Sequence, residues 1–283
     1  MPRKTIRNAT TVSGVGLHSG IVSTVALHPG LTGDGILARF GNGPFQAISS
    51  LNVIATDRCT RIEFLNGATV DTVEHLFAAI ALLGITDIRL TFSNREVPIL
   101  DGSASDWISS FENAGIVQLL GAAEHFIVTR PFKFAIKGAL YQVSPGPAGF
   151  RVSIDFANPH IGFQEISVRG ANLATLADSR TFALETEIAA LQAAGLALGG
   201  GLHNAVVVGA DGPLNPEGFR HPDECVRHKA LDLVGDLLLA GCPILGDFTV
   251  HRPGHSANNA FLKAMLAAGI LSRSSDAAQS RAA

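Results

Sequence analysis

Cysteine is scarce in this chain. Its 283 residues include three, Cys59, Cys225 and Cys242, odd in number and far apart. They form no disulfide framework, and a reducing compartment is expected. Charge is sparse too, at 16% of residues with a net of −3. No broad basic field exists to attract nucleic acid, so an anionic ligand must meet a local basic cluster. No apolar run approaches the ~20 residues that a membrane span requires. The longest, Leu76 to Ile85, is about half of that length. The basic start, Met1-Pro2-Arg3-Lys4, leads into no apolar segment, so no secretory signal is expected. A cytoplasmic, soluble protein follows as the expectation. A His-Glu-x-x-His helix is also missing, which excludes the common metalloprotease arrangement.

The chain is 47% hydrophobic with a mean hydropathy of +0.29. That fills more than one core and argues against disorder, and the length is within reach of two domains. Up to position 60, β-branched and alternating stretches (Thr10-Thr11-Val12, Ile21 to Leu27) are punctuated by Gly14, Gly16, Gly20, Gly30, Gly33 and Gly35 and read as strands and turns. His18, in one of these turns, reads as a surface residue, and Cys59 as structural. Asp71-Thr72 offers an N-cap to a helix over Val73–Leu83, ended by Gly84. A strand at Ile88–Phe92 and a helix at Asp106–Ala114 follow, and 116–126 reads as a connector. The pattern then restarts with strands at Phe126–Thr129, Phe132–Ile136, Ala139–Val143 and Arg151–Phe156. A helix over Phe182–Ala194, a Gly199-Gly200-Gly201 turn and a strand at Ala205–Val208 come next. Residues after Ser272 read as a frayed tail.

The two halves echo each other. Val73-Glu74-His75 opens a helix that ends in Leu82-Leu83-Gly84, and Val226-Arg227-His228 opens one that ends in Leu238-Leu239-Ala240-Gly241. The expected fold class is α+β, with two similar domains, 1–120 and 126–283, each a sheet layer packed on helices.

The chemistry gathers on the second of those helices. Cys225 to Asp236 holds no Pro, and its only Gly is Gly235; Val226, Ala230, Leu233 and Leu237 recur at helical spacing. His228, Asp232 and Asp236, each four residues apart, share one face. Alone they read as a solvated polar face. With His75 they make two imidazoles and a carboxylate, the donor set of a catalytic zinc whose fourth position is left to water. Glu74, about 100° round its helix from His75, is the candidate general base. His255, in a loop after Pro253-Gly254, is a candidate proton donor, and Asp236 could hold its ring and raise its pKa. Thr181, in Ser179-Arg180-Thr181-Phe182, either caps the next helix or faces a developing oxyanion. Leu184, Ile188 and Leu191 share a helix face, which is either core or a groove for an acyl chain.

Together these motifs resemble the zinc-dependent UDP-3-O-acyl-N-acetylglucosamine deacetylases of the lipid A pathway. The match runs from Thr11-Val12-Ser13-Gly14-Val15-Gly16-Leu17-His18 to Gly254-His255 and includes Val97-Pro98-Ile99-Leu100-Asp101-Gly102-Ser103-Ala104. The resemblance implies an active site between two α+β domains, each with an insert, the second near 183–208. It implies zinc on His75, His228 and Asp232, with iron(II) as an alternative. It implies Glu74 as base, Thr181 beside the oxyanion, and His255, oriented by Asp236, as acid. Lys229 matches a catalytic lysine that contacts substrate and developing charge, Phe156 an aromatic that stacks near the uracil, and Arg252 a basic position near the diphosphate. Phe182, Leu184, Ile188 and Leu202 fall where the family forms its acyl passage. The implied partner is the sugar-nucleotide substrate, with acetate and the 2-amine as products; a monomer is expected. His203-Asn204, Asn158-Pro159-His160 and His251-Arg252-Pro253 depart from the family pattern and bear on acyl length and nucleotide binding. Two other readings are a relative acting on a different acylated sugar and a binding module with structural zinc. Three ligands instead of four argue against the second.

Overall fold

The alternation read over Ile21 to Leu27 has its counterpart in the strand Val22–Pro29: Ser23, Val25 and Leu27 face the core, and their neighbours are partly exposed. The strand belongs to a five-stranded sheet in a computed structural model that describes residues 1–48, 53–55 and 58–275. Across this sheet lie Thr10–Val15, Val22–Pro29, Ile88–Phe92, Ile36–Phe40 and Gln46–Ala47. All neighbours are antiparallel except Ile36–Phe40 with Ile88–Phe92. A second sheet orders Phe132–Ile136, Ala139–Ser144, Asp247–His251, Gly149–Asp155 and Phe163–Arg169, and only the Gly149–Asp155 and Asp247–His251 pair is parallel.

By chain order, both sheets run first, second, fifth, third, fourth. In the first half, helix α1 (Glu74–Leu83) precedes the fifth strand and α2 (Ser105–Ala114) follows it. The second half adds α3 (Glu185–Ala193), then places α4 (Glu224–Leu237) before its fifth strand and α5 (His255–Ala267) after it. Each half also inserts a three-stranded sheet between its fourth strand and the helix before the fifth. These are Val53–Ala55, Arg61–Glu63 and Thr69–Val70, and Phe182–Leu184, Val206–Gly209 and Gly212–Pro213. The sequence echo between the helices at His75 and His228 is therefore an echo of whole topologies.

Four local expectations are corrected. The stretch after Gly115 is not only a connector: Ile116–Ala122 pairs antiparallel with Pro2–Ile6, as Leu271–Arg273 pairs with Phe126–Val128. Arg273, expected in the frayed tail, is thus a strand residue, while 276–283 lie outside the described residues. The helix expected over Phe182–Ala194 begins at Glu185, because Phe182–Leu184 is drawn into a parallel ladder with Val206–Val208. Finally, neither Asp71 nor Thr72 caps α1. Asp71 pairs with Arg61, and the Thr72 hydroxyl donates to Glu96 (3.1 Å). Gly84 does end α1, in the left-handed conformation (φ 65°).

α1 and α4 pack directly on each other. Glu74 to Ile80 are all buried, as are Val226, Ala230, Leu231, Leu233 and Leu237. Each large apolar side chain fully buried in this way contributes about 1.5–3 kcal/mol. The interface therefore fixes how the first turn of α1 meets the middle of α4. The three cysteines are free thiols, with Cys59 and Cys225 buried. No helix among the described residues is long and apolar enough to cross a membrane.

Candidate metal centre

His75 opens α1, and His228 and Asp232 stand one turn apart on α4; all three are buried. Asp232 Oδ1 lies 3.2 Å from His228 Nε2 and 3.5 Å from His75 Nε2. One donor atom from each residue lies within 4.8 Å of the others. Donors held about 2.0–2.1 Å from a tetrahedral ion would be spaced by about 3.3–3.4 Å, so the trio fits such an ion. Asp232 Oδ1 is buried and accepts no hydrogen bond, which also fits a metal ligand. The His228 ring is oriented from behind, where Nδ1 donates to the Ser179 carbonyl (3.0 Å).

Electrostatics favour the deprotonated donor set. Burial pushes the His228 pKa down to about 3. Burial opposes ionisation of Asp232, but His228, Lys229 and His255 outweigh it and hold the carboxyl well below its usual range. Lys229 Nζ donates to Asp232 Oδ2 (2.9 Å) and sits 5.7 Å from the Phe182 ring centre.

Two further groups face the trio. Glu74 is buried, with Oε2 accepting the Thr60 N–H (3.0 Å) and Oε1 lying 3.7 Å from His255 Nε2. Burial raises its pKa, against the pull of His255 and His75. His255 is not the mobile loop residue expected from Pro253-Gly254. It is the first residue of α5 and is buried. Its Nδ1 donates to Asp236 Oδ2 (3.0 Å), a carboxylate that also accepts from the Thr60 hydroxyl (2.5 Å) and the Asn258 amide (2.8 Å). Burial alone would lower the imidazole pKa, but Asp236, Glu74 and Asp232 raise it to about 9.

His75, His228, Asp232, Glu74 and His255 line a cavity of about 420 Å³ with Thr181, Phe182, Lys229 and Arg252. The capping role for Thr181 is excluded, since α3 starts from Leu184 with no side-chain cap. Thr181 instead has its backbone tied to Gly102 and Val206 and its side chain on the cavity. A second, mainly apolar groove of about 390 Å³ opens beside it, lined by Ile188, Leu191 and Leu202 among others. Leu184 is not in that lining and packs on the core instead. Phe156 borders a third recess with Asp155, Lys229 and Arg252, and its ring meets Phe182 edge-on at 5.4 Å.

Several residues at the site carried no usable signal in the sequence. His18, read as a surface residue, lines both large cavities with Nε2 buried, and burial lowers its pKa. Glu96 fixes the turn around it, accepting the N–H groups of His18 and Ser19 (both 2.7 Å). Thr60 joins Glu74 to Asp236, and the buried Arg180 pairs with Glu224 and Glu217. His18 and Arg180 fell inside motifs that carry the resemblance, but with no role attached to either, and Thr60 was near Glu74 in sequence.

A buried two-histidine, one-carboxylate set with Glu74 and His255 against it suits metal-dependent hydrolysis. The sequence profile of the UDP-3-O-acyl N-acetylglycosamine deacetylases matches residues 3–267. A UDP-3-O-acyl-N-acetylglucosamine deacetylase of Nitratidesulfovibrio vulgaris is 40% identical over 272 residues, covering 93% of this chain and 87% of its own. One from Shewanella baltica is 38% identical over 275 residues, covering 94% and 90%. The chain belongs to the UDP-3-O-acyl-N-acetylglucosamine deacetylase family.

Proposed function

We propose that this protein hydrolyses the N-acetyl group of UDP-3-O-(3-hydroxyacyl)-N-acetylglucosamine, releasing acetate and the 2-amine for lipid A biosynthesis. The observation that carries the reading is a single cavity in which His75, His228 and Asp232 are faced by Glu74 and His255 and which adjoins an apolar groove. We assign the two topological repeats to domains at 1–120 and 126–283. All the proposed ligands come from one chain, which supports a monomer. Free cysteines support a cytoplasmic location.

His75, His228 and Asp232 would hold zinc, with iron(II) as the alternative on the same donors. When bound, the ion supplies Lewis acidity to the amide carbonyl and lowers the pKa of water. Glu74 accepts the proton of the attacking water, since its carboxylate is buried beside the trio. The Thr181 hydroxyl donates to the oxygen on which charge develops. His255, held as a cation by Asp236, gives a proton to the departing nitrogen. Lys229 offers positive charge to the substrate where charge develops, Arg252 offers it to the diphosphate, and Phe156 presents an aromatic face to the uracil. Phe182, Ile188 and Leu202 exclude water along the acyl chain, with Leu184 supporting that wall from the core side.

The test is acetate release from synthetic UDP-3-O-acyl-N-acetylglucosamine, together with the metal content of the purified protein. About one equivalent of metal is expected, with activity lost to a chelator and restored by zinc. Metal-loaded protein that releases no acetate would overturn the reading.

A further inference from the structure

Among the described residues, the metal cavity and the apolar groove share Leu17, His18, Arg58, Thr181 and Phe182 in their linings. Among the groove's described lining residues, Arg58 alone carries a formal charge. Its side chain is 52% exposed, so the guanidinium is open to a ligand. One donor, Nη1, is taken by Glu187 Oε2 at 3.1 Å. Glu187 lies on α3, next to Ile188, which lines the groove. The pair thus links a segment of the first half to the groove wall supplied by the second.

The backbone of Arg58 is unusual. Its φ of 66° lies in the left-handed region that a non-glycine residue seldom occupies. Such conformations persist where the surroundings enforce them, and they cluster at functional sites. The enforcement here is visible two residues on, where Thr60 is fastened to Glu74 and Asp236. The chain two residues after Arg58 is therefore tied to Glu74 and Asp236.

Building on the function proposed above, we propose that Arg58 is a specificity residue that donates a hydrogen bond to the ester carbonyl at the head of the acyl chain. The acetamide and the ester sit on neighbouring carbons of the sugar. With the amide at His75, His228 and Asp232, the ester must lie where the cavity opens into the groove. A carbonyl entering an apolar groove needs a donor to replace the water it loses. Arg58 has four N–H groups beyond the one given to Glu187, in a planar fork suited to oxygen acceptors.

The experiment compares the ester-linked substrate with an analogue joined by an ether, which lacks that carbonyl. Wild-type protein is expected to favour the ester about tenfold or more in kcat/KM, chiefly through KM. Arg58→Met keeps the stem and removes the donors. It is expected to lose the preference, with ester and ether handled within about twofold of each other. A variant that keeps the full ester-to-ether ratio overturns the assignment, as does a loss that falls equally on both compounds. If the wild-type protein releases acetate from neither, the proposed function fails, independently of Arg58.

Discussion

The α-carbon of Gly235 sits against the carbonyl of Glu74. A Cβ at Gly235 would lie 2.1 Å from Glu74 O and 3.1 Å from Ala78 N. This contact sets how closely α4 approaches α1, and therefore how His75 meets His228 and Asp232. Alanine normally improves a helix interior by up to about 1 kcal/mol over glycine. Here Gly235→Ala is expected to destabilise the protein by about 1–3 kcal/mol, because the clash is with backbone. Zinc affinity should fall with it. Urea unfolding and metal titration of the variant check both effects, and a more stable variant would refute the role.

Glu74→Gln keeps the size and the bond from Thr60 but removes the base. The expected result is a fall in kcat of about 10²–10⁴ with metal content unchanged. Metal analysis beside steady-state kinetics decides it, and full activity would sink the assignment.

The carboxylates of Asp236, Glu74 and Asp232 outweigh burial and push the His255 pKa up to about 9. Raising the pH through that value removes its proton, so kcat/KM should fall on the alkaline side. Glu74 must be ionised, and burial raises its pKa, so the acid limb should lie above the ordinary value of 4.5. Asp236→Asn removes a charge that holds the proton on His255. The alkaline limb should then move to lower pH. Both limbs belong to the coupled site, and the displacement between wild type and variant is the quantity to measure.

Arg180 is buried against Glu224, which accepts from its backbone N–H (2.9 Å) and its Nε (2.9 Å). Its chain neighbours are Ser179, whose carbonyl orients His228, and Thr181. Glu224→Gln leaves a buried guanidinium with Glu217 as its remaining carboxylate partner. A stability loss of about 3 kcal/mol is expected, near the lower end for a broken buried pair. Chemical denaturation would show it; a loss under about 1 kcal/mol would mean that Glu217 suffices.

Helix α4 was legible because its apolar spacing and its His228, Asp232, Asp236 series follow from helical periodicity alone. The strands in Val22–Pro29, Ile88–Phe92 and Phe132–Ile136 were legible from β-branched and alternating residues. Phe182–Leu184 was not, because the same residues fit a helix and only the ladder to Val206–Val208 selects a strand. His18 was passed over because a turn histidine has no periodicity to place it. Glu96, 78 positions along the chain, is what holds its turn against the cavity.

By itself, the sequence determined the α+β class, the helix that carries His228 and Asp232, and the donor types available to a metal. Those follow from local periodicity and side-chain chemistry, which act over a few residues. The tertiary structure decided that two copies of one topology bring α1 onto α4, that Thr60 joins Glu74 to Asp236, and that Arg58 stands between two cavities. Such contacts join residues far apart in the chain, as Thr60 and Asp236 are, and are set by packing of the whole core. The opposed first turn of α1 and middle of α4, held by the bare α-carbon of Gly235, turn a polar helix face into a candidate metal centre.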